Sequence, residues 1–169
     1  MSSDPLDFAI RVCESTAFIL HGILGITEPC TGCLRGAFQD KGSSGGMPSW
    51  FWPAAGVMLL VVAGANFSNS NAVVLSAQAY IAAFHAGAVF YHLLLGHHPA
   101  SGCAPAVFIV MAFIVTWLRT NVLIAVMGTF ACTAIAAGLS KILVNPPNSL
   151  NDTGMGGTSQ THLLNQAIQ

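Results

Sequence analysis

Long apolar stretches, separated by short polar segments, dominate the chain. The apolar residues concentrate in five segments, 6–26, 51–66, 72–96, 104–118 and 122–144. A helix that crosses the hydrocarbon core of a bilayer needs about 20 predominantly apolar residues. Segment 122–144 meets this length most cleanly, because its one charged residue, Lys141, lies near its end. The pattern predicts an all-α protein, a polytopic bundle of four to five membrane-spanning helices.

Segment 51–66 is short for a membrane span, but its start is typical of one. Trp50 and Trp52 precede and open it, and tryptophan is enriched at the interface between lipid and water. Pro53 follows them, and proline is tolerated in the first turn of a helix. We therefore expect this segment to be a helix that begins at the membrane surface.

Only residues 119–121 separate segments 104–118 and 122–144. They connect the segments either as a tight hairpin or as part of one long kinked helix. A helix of about 40 residues would extend about 60 Å, twice the thickness of the hydrocarbon core. We predict the hairpin for this reason.

The connecting segments are rich in residues that favour turns. Glycine, serine and proline in residues 28–49 predict an irregular loop, and residues 68–71 and 97–103 are predicted turns. The bundle is expected to occupy residues 1–147. Residues 148–169 are rich in Asn, Gly, Ser, Thr and Gln, and we expect a polar tail that is either extended or docked on something else.

Composition supports the membrane assignment and excludes another class. The chain is 54% hydrophobic and 7% charged, whereas a soluble domain carries about 25% charged residues. Most of the outer surface should therefore face lipid. The net charge is −1 and no basic run is present, so nucleic-acid binding has no electrostatic support.

The first segment contains three ionisable residues. Glu14 lies three positions after Arg11, and His21 lies seven positions after Glu14, so all three share one helix face. A charge at membrane depth costs about 2.5–3.5 kcal/mol on insertion scales, so each charge should be paired or face a polar interior. Two interpretations stay open: a site that handles a quinone or protons, and an interfacial helix with a salt bridge near its start.

His85 and His92 are also seven residues apart, on one face of the third segment. A neutral imidazole can bind haem iron, chlorophyll magnesium or zinc. Two histidines about 10 Å apart along one helix cannot share a metal ion, so each would need its own partner or pigment. The alternative is that both bond to neighbouring helices.

A possible metal site lies in the loops. Cys30 and Cys33 form a CxxC pair in the first loop, and the third loop holds His97, His98 and Cys103. With five spans, both loops lie on the same side of the membrane. These residues could form a tetrahedral zinc site or a disulfide, or the cysteines could be free thiols.

Small residues four positions apart recur in the later segments. This spacing lets helix backbones approach closely in lipid, either within an ordinary bundle or at a dimer face. The pairs are Ala83 and Gly87, Gly128 and Cys132, and Ala134 and Gly138.

The stretch from Met47 to Arg119 resembles the DoxX-like family of small membrane proteins. The similar features are a Pro-Trp entry, Gly56 and Gly64 in the second segment, Ala86-Gly87-Ala88 followed by Tyr91-His92, and Arg119 after the fourth segment. Arg11 and His21-Gly22 fit the family's opening helix. Met58 and Leu59 occupy the region where the family often has a glutamate, and the fifth segment and the tail depart from its four-helix form. The resemblance implies a four-helix core and a relation to subunits of quinone-linked oxidoreductases.

Three functions fit these observations. The leading one is a non-catalytic accessory subunit of a large energy-converting complex, in the respiratory chain or a photosystem. Other membrane subunits and lipids would be its partners, and the mitochondrial inner membrane or the thylakoid its location. The alternatives are a quinone-linked oxidoreductase component of DoxX type and a small transporter or channel. Haem, chlorophyll or quinone would be the cofactor. No carboxylate pair, nucleophile elbow or HExxH motif is present, which disfavours a conventional hydrolase.

Overall fold

The computed structural model describes residues 4–31, 50–94, 96 and 98–144, and this part of the chain contains helices and no strand. The predicted all-α bundle is therefore confirmed. In chain order the helices are α1 (Pro5–Thr31), α2 (Phe51–Ala65), α3 (Asn71–Leu94), α4 (Cys103–Arg119) and α5 (Val122–Val144), with a 3₁₀ turn at Pro99–Gly102 leading into α4.

Four of the helical segments are long and apolar enough to cross a membrane. They are Pro5–Thr31, Asn71–Leu94, Pro99–Arg119 and Val122–Lys141. Most large apolar side chains of α5 are exposed, as expected where lipid takes the place of water. The chain is thus an integral membrane protein. Helix α2 has 15 residues and is about 22 Å long, which is less than the hydrocarbon core.

Helix α1 ends later than predicted. It continues through Glu28 and Pro29 to Thr31, so the irregular loop predicted for residues 28–49 does not begin at residue 28. Glu28 is fully buried, and the Thr31 hydroxyl donates to the Thr27 carbonyl oxygen at 3.2 Å. The helix therefore continues past a proline that locally favours its end, and its last turns bury the Glu28 side chain.

The predicted hairpin between α4 and α5 is confirmed. Thr120 has φ −133° and ψ −103°, which breaks the helix, and α4 and α5 contact each other. The Asn121 side chain then accepts a hydrogen bond from the Ile124 N–H at 2.9 Å, which caps the start of α5. Gly96, shortly after the end of α3, has φ +67°, a conformation that favours glycine.

Successive helices run in opposite directions. Arg11, near the start of α1, contacts Asn66, just after the end of α2, and Arg119 at the end of α4 contacts Asn71 at the start of α3. One end of the bundle therefore holds the starts of α1, α3 and α5 and the ends of α2 and α4. We call it the polar end, because most of the buried polar side chains lie near it.

The closest helix approach is between α1 and α2. A Cβ atom on Gly56 would lie 2.6 Å from the Gly22 carbonyl oxygen, and one on Gly25 would lie 2.7 Å from the Trp52 carbonyl oxygen. Only glycine permits this backbone contact. The small-residue pairs predicted from spacing do not make such an approach: a Cβ atom on Gly128 or Gly138 would meet nothing within 4 Å.

Candidate functional site

Buried and partly buried polar side chains from several helices meet near the polar end. We call this group the polar cluster, and it comprises Asp7, Arg11, Glu14, Ser15, Asn66, Asn71, Gln78 and Arg119. The three residues from positions 66–78 come from the end of α2 and the first turns of α3. Antiparallel packing is what brings these distant positions together.

Asp7 is the centre of the ionic half of the cluster. Its Oδ2 atom lies 2.9 Å from Arg11 Nη2. Arg119 donates from Nε to Asp7 Oδ1 at 2.8 Å and from Nη2 to Oδ2 at 2.9 Å. Arg119 Nη1 also donates to Asn71 Oδ1 at 3.0 Å. The Asp7 carboxylate therefore binds two guanidinium groups. The bidentate geometry of its contact with Arg119 strengthens that ion pair.

Glu14 lies in the amide half of the cluster. Its Oε2 atom accepts hydrogen bonds from Gln78 Nε2 at 2.8 Å and from Asn66 Nδ2 at 3.1 Å. Gln78 Nε2 also donates to Asn66 Oδ1 at 2.9 Å. Arg11 donates to the Asn66 backbone carbonyl rather than to Glu14. Within the described residues, Glu14 has amide partners and no cation within ion-pair distance.

The expectation that Arg11 and Glu14 avoid lipid is confirmed, because both are buried. The partners of Glu14, which are Asn66 and Gln78, could not be read from the spacing. Arg11 pairs with Asp7, one turn earlier in α1, so the structure contains the salt bridge near the start of the helix. His21 does not join the polar cluster and lies against a cavity instead.

This cavity lies among all five helices, away from the polar end, and has a volume of about 440 Å³. Its walls are mainly apolar and aromatic, with polar groups from His21, His85, Tyr91 and His92. Cavities of about 300–1,000 Å³ with apolar walls and few polar groups are typical of small-molecule sites. The three histidines singled out from the sequence therefore border one cavity.

His85 is fixed in position by its neighbours. Its Nδ1 atom lies 2.9 Å from the Ile81 carbonyl oxygen, and a proton on Nδ1 leaves Nε2 as a hydrogen-bond acceptor. Its ring packs against Phe18, at a centroid distance of 5.5 Å, and against Phe108, at 4.5 Å, and those two rings lie 5.3 Å from each other. The hydrogen bond and the two aromatic rings hold the imidazole in one orientation at the cavity wall.

The loop residues do not form a metal site within the described part of the chain. Cys30 and Cys103 are exposed, and His98 caps the 3₁₀ turn. No group of three His, Cys, Asp or Glu side chains suited to a metal ion occurs among the described residues. Cys33 and His97 lie outside those residues, so the zinc site and the disulfide stay predictions.

The sequence interpretation missed several residues of these sites. Asp7 lies four positions before Arg11, and this spacing was a usable signal. Arg119 and Asn66 gave no such signal, because both lie at helix ends far along the chain. Phe18 and Phe108 are part of an apolar pattern that every span shares, so their contact with His85 depends on helix packing.

The fold and these two sites define an integral membrane protein with a buried polar cluster and a separate apolar cavity. No protein-family model matches this chain, and no curated protein or solved structure matches it. The DoxX-like resemblance is therefore still a prediction.

Proposed function

We propose that this chain is the membrane subunit of a quinone-linked oxidoreductase complex and that its cavity binds the quinone-class ring. The observation that carries the proposal is the position of His85 at the wall of the cavity, in contact with both Phe18 and Phe108. A flat amphipathic ring matches aromatic walls that carry one oriented polar group.

The chemistry of His85 favours the reduced form of such a ring. Its Nδ1 proton is engaged by the Ile81 carbonyl, so Nε2 accepts a hydrogen bond. A quinol hydroxyl donates such a bond, whereas a quinone carbonyl does not. His21 and His92 also line the cavity and add polar contacts for the second oxygen of the ring.

The proposal keeps the role of a subunit within a larger complex. The cavity residues bind and orient a ring, and a partner subunit would exchange electrons with it. The leading expectation from the sequence, an accessory subunit of an energy-converting complex, is compatible with this role. The proposed cavity makes this subunit role more specific, because it assigns the chain the binding of a quinone-class ring.

Photo-crosslinking tests the proposal. The full chain, in lipid nanodiscs, is incubated with a short-tailed azido-benzoquinol under reducing conditions, and crosslinked peptides are mapped by mass spectrometry. We expect crosslinks to the α1, α3 and α4 residues that line the cavity. His85→Leu should lower affinity about tenfold, because one hydrogen bond contributes about 1–1.5 kcal/mol.

His98→Leu is the matched control, because His98 does not border this cavity and should leave binding unchanged. Crosslinks that are spread over the lipid-facing surface and insensitive to His85→Leu would contradict the proposal. A visible absorption band that His85→Leu or His92→Leu removes would identify a haem or chlorophyll as the ligand instead.

A further inference from the structure

Two buried oxygen atoms of the polar cluster have no hydrogen-bond partner among the residues that the structure describes. They are Oε1 of Glu14 and Oε1 of Gln78, in side chains that are 0% and 1% exposed. A buried polar atom without a partner costs about 1–3 kcal/mol, so this arrangement needs an explanation. Both atoms are acceptors as they stand, and they cannot satisfy each other without a proton.

The orientation of the Gln78 amide is determined by its contacts. Gln78 Nε2 donates both to Glu14 Oε2 and to Asn66 Oδ1, which uses its two N–H groups. Reversing the amide would place an oxygen against two acceptors. The two contacts therefore determine which end of the Gln78 amide is the nitrogen and which is the oxygen. That oxygen, Oε1, is an acceptor that lacks a donor.

The two unpartnered oxygens flank the hydrogen bond between Glu14 and Gln78, because each is bonded to the same carbon as one atom of that bond. Glu14 Oε1 shares its carbon with Oε2, and Gln78 Oε1 shares its carbon with Nε2. Glu14 Oε2 and Gln78 Nε2 are themselves 2.8 Å apart. A carboxylic acid and an amide can pair edge to edge through one N–H···O and one O–H···O bond. One proton on Glu14 would thus satisfy both orphaned atoms.

The neighbouring charges permit a neutral Glu14. Arg11 and Arg119 both pair with Asp7. Among the described residues, the side-chain hydrogen-bond partners of Glu14 are the amides of Asn66, just after α2, and Gln78 in α3. A neutral Glu14 leaves the cluster with one excess positive charge. The Arg119 side chain, which is 17% exposed, gives that charge access to solvent or lipid headgroups.

We propose that Glu14 is a proton-binding site inside the membrane, a carboxylic acid whose Oε1–H donates to Gln78 Oε1. Binding adds one proton to the carboxylate, and release returns it and leaves a buried charge without an ion-pair partner. The site does not line the quinone-class cavity, so it stands independently of the function proposed for that cavity.

Infrared spectroscopy of the full chain in nanodiscs at neutral pH tests this proposal. We expect a C=O stretching band of a protonated carboxylic acid, shifted in D₂O and completely absent from Glu14→Gln. Gln78→Leu should move the band to higher wavenumber, because Oε2 loses an N–H donor. Asp4→Asn makes the same chemical change in an exposed acid of the same segment and should leave the band in place.

A measurement on the unmodified chain removes any dependence on the folding of the variants. Dicyclohexylcarbodiimide reacts with protonated carboxyl groups in apolar surroundings, and we expect mass spectrometry to find it on Glu14, with slower modification as the pH rises. Absence of both the band and the modification would mean that Glu14 is ionised and would overturn the proposal. If NaCl but not KCl protects Glu14 from modification by dicyclohexylcarbodiimide, the proposal is also overturned, because the ion bound at Glu14 would then be sodium and not a proton.

Discussion

Asp7 and Arg119 are 112 positions apart in the chain, and their side chains make a two-point contact at 2.8 and 2.9 Å. The contact joins the first turns of α1 to the last turn of α4. Because Asp7 also binds Arg11, its carboxylate compensates two buried or half-buried cations. The packing of the polar end therefore depends on one short side chain.

Asp7→Asn is expected to destabilise the protein strongly. The change removes the negative charge that both guanidinium groups share, and breaking a buried pair costs about 3–5 kcal/mol. Unfolding in mixed micelles, followed by circular dichroism, measures the free energy of unfolding. Asp4→Asn is the matched control, because Asp4 is exposed and an asparagine can still accept the hydrogen bond from the Leu6 N–H.

Asp7→Asn and Arg119→Gln should be non-additive. Residues that share one ion-pair network couple by about 0.5–3 kcal/mol, so the double variant should lose less stability than the sum of the single variants. A double-mutant cycle in the same micelles provides the comparison. Strict additivity would mean that the Asp7–Arg119 contact contributes nothing to stability.

Gly56→Ala should disrupt the crossing of α1 and α2. The added methyl group would lie 2.6 Å from the Gly22 carbonyl oxygen, and overpacking of this kind costs about 1–3 kcal/mol. Gly64→Ala is the control in the same helix, because its methyl group would meet nothing within 4 Å and alanine favours helix. Thermal unfolding in detergent should rank Gly56→Ala below wild type and Gly64→Ala at or above it.

Ala88→Phe should fill the cavity and block ligand binding. Ala88 lines the cavity wall, and a phenyl ring there would occupy the space proposed for the quinone-class ring. We expect at least a tenfold loss of azido-benzoquinol affinity without loss of fold. Ala131→Phe makes the same change on the exposed face of α5, and equal binding loss in both variants would argue against this cavity as the site.

The alternating helix directions predict which thiols share a membrane side. Cys30 lies in the last turn of α1 and Cys103 at the start of α4, and both are exposed. In sealed vesicles of one orientation, in a Cys33→Ser background, an impermeant maleimide should label both from the same side. Asn69→Cys, between α2 and α3, should be labelled only from the opposite side. Labelling of all three from one side would contradict the topology.

The helix positions were largely predictable from local pattern. Segment 122–144 coincides with α5 at both ends, because an apolar run of membrane length followed by Pro146 and Pro147 determines a helix locally. The end of α1 was predicted wrongly, because proline and glycine signalled a loop while the burial of Glu28 depends on the rest of the bundle.

The candidate sites were predictable only in part. The histidines at positions 21, 85 and 92 were recognised as unusual within apolar spans, and all three line the cavity. One of the two interpretations of the sequence placed Arg11 and Glu14 in the same site as His21. The structure places them in the polar cluster instead, because their partners come from other helices.

The sequence by itself determined that the chain lies in a membrane and where its helices run. The length of an apolar run and its low charge can be read from each segment alone. Lipid requires every span to satisfy its backbone hydrogen bonds internally, which a helix does. Only the tertiary structure decided that Asp7 serves two arginines and that Glu14 meets amides. Those contacts depend on the rotation and crossing of the helices. Close approaches through space, such as that of Gly22 and Gly56 between α1 and α2, accompany this packing, and no local pattern encodes it.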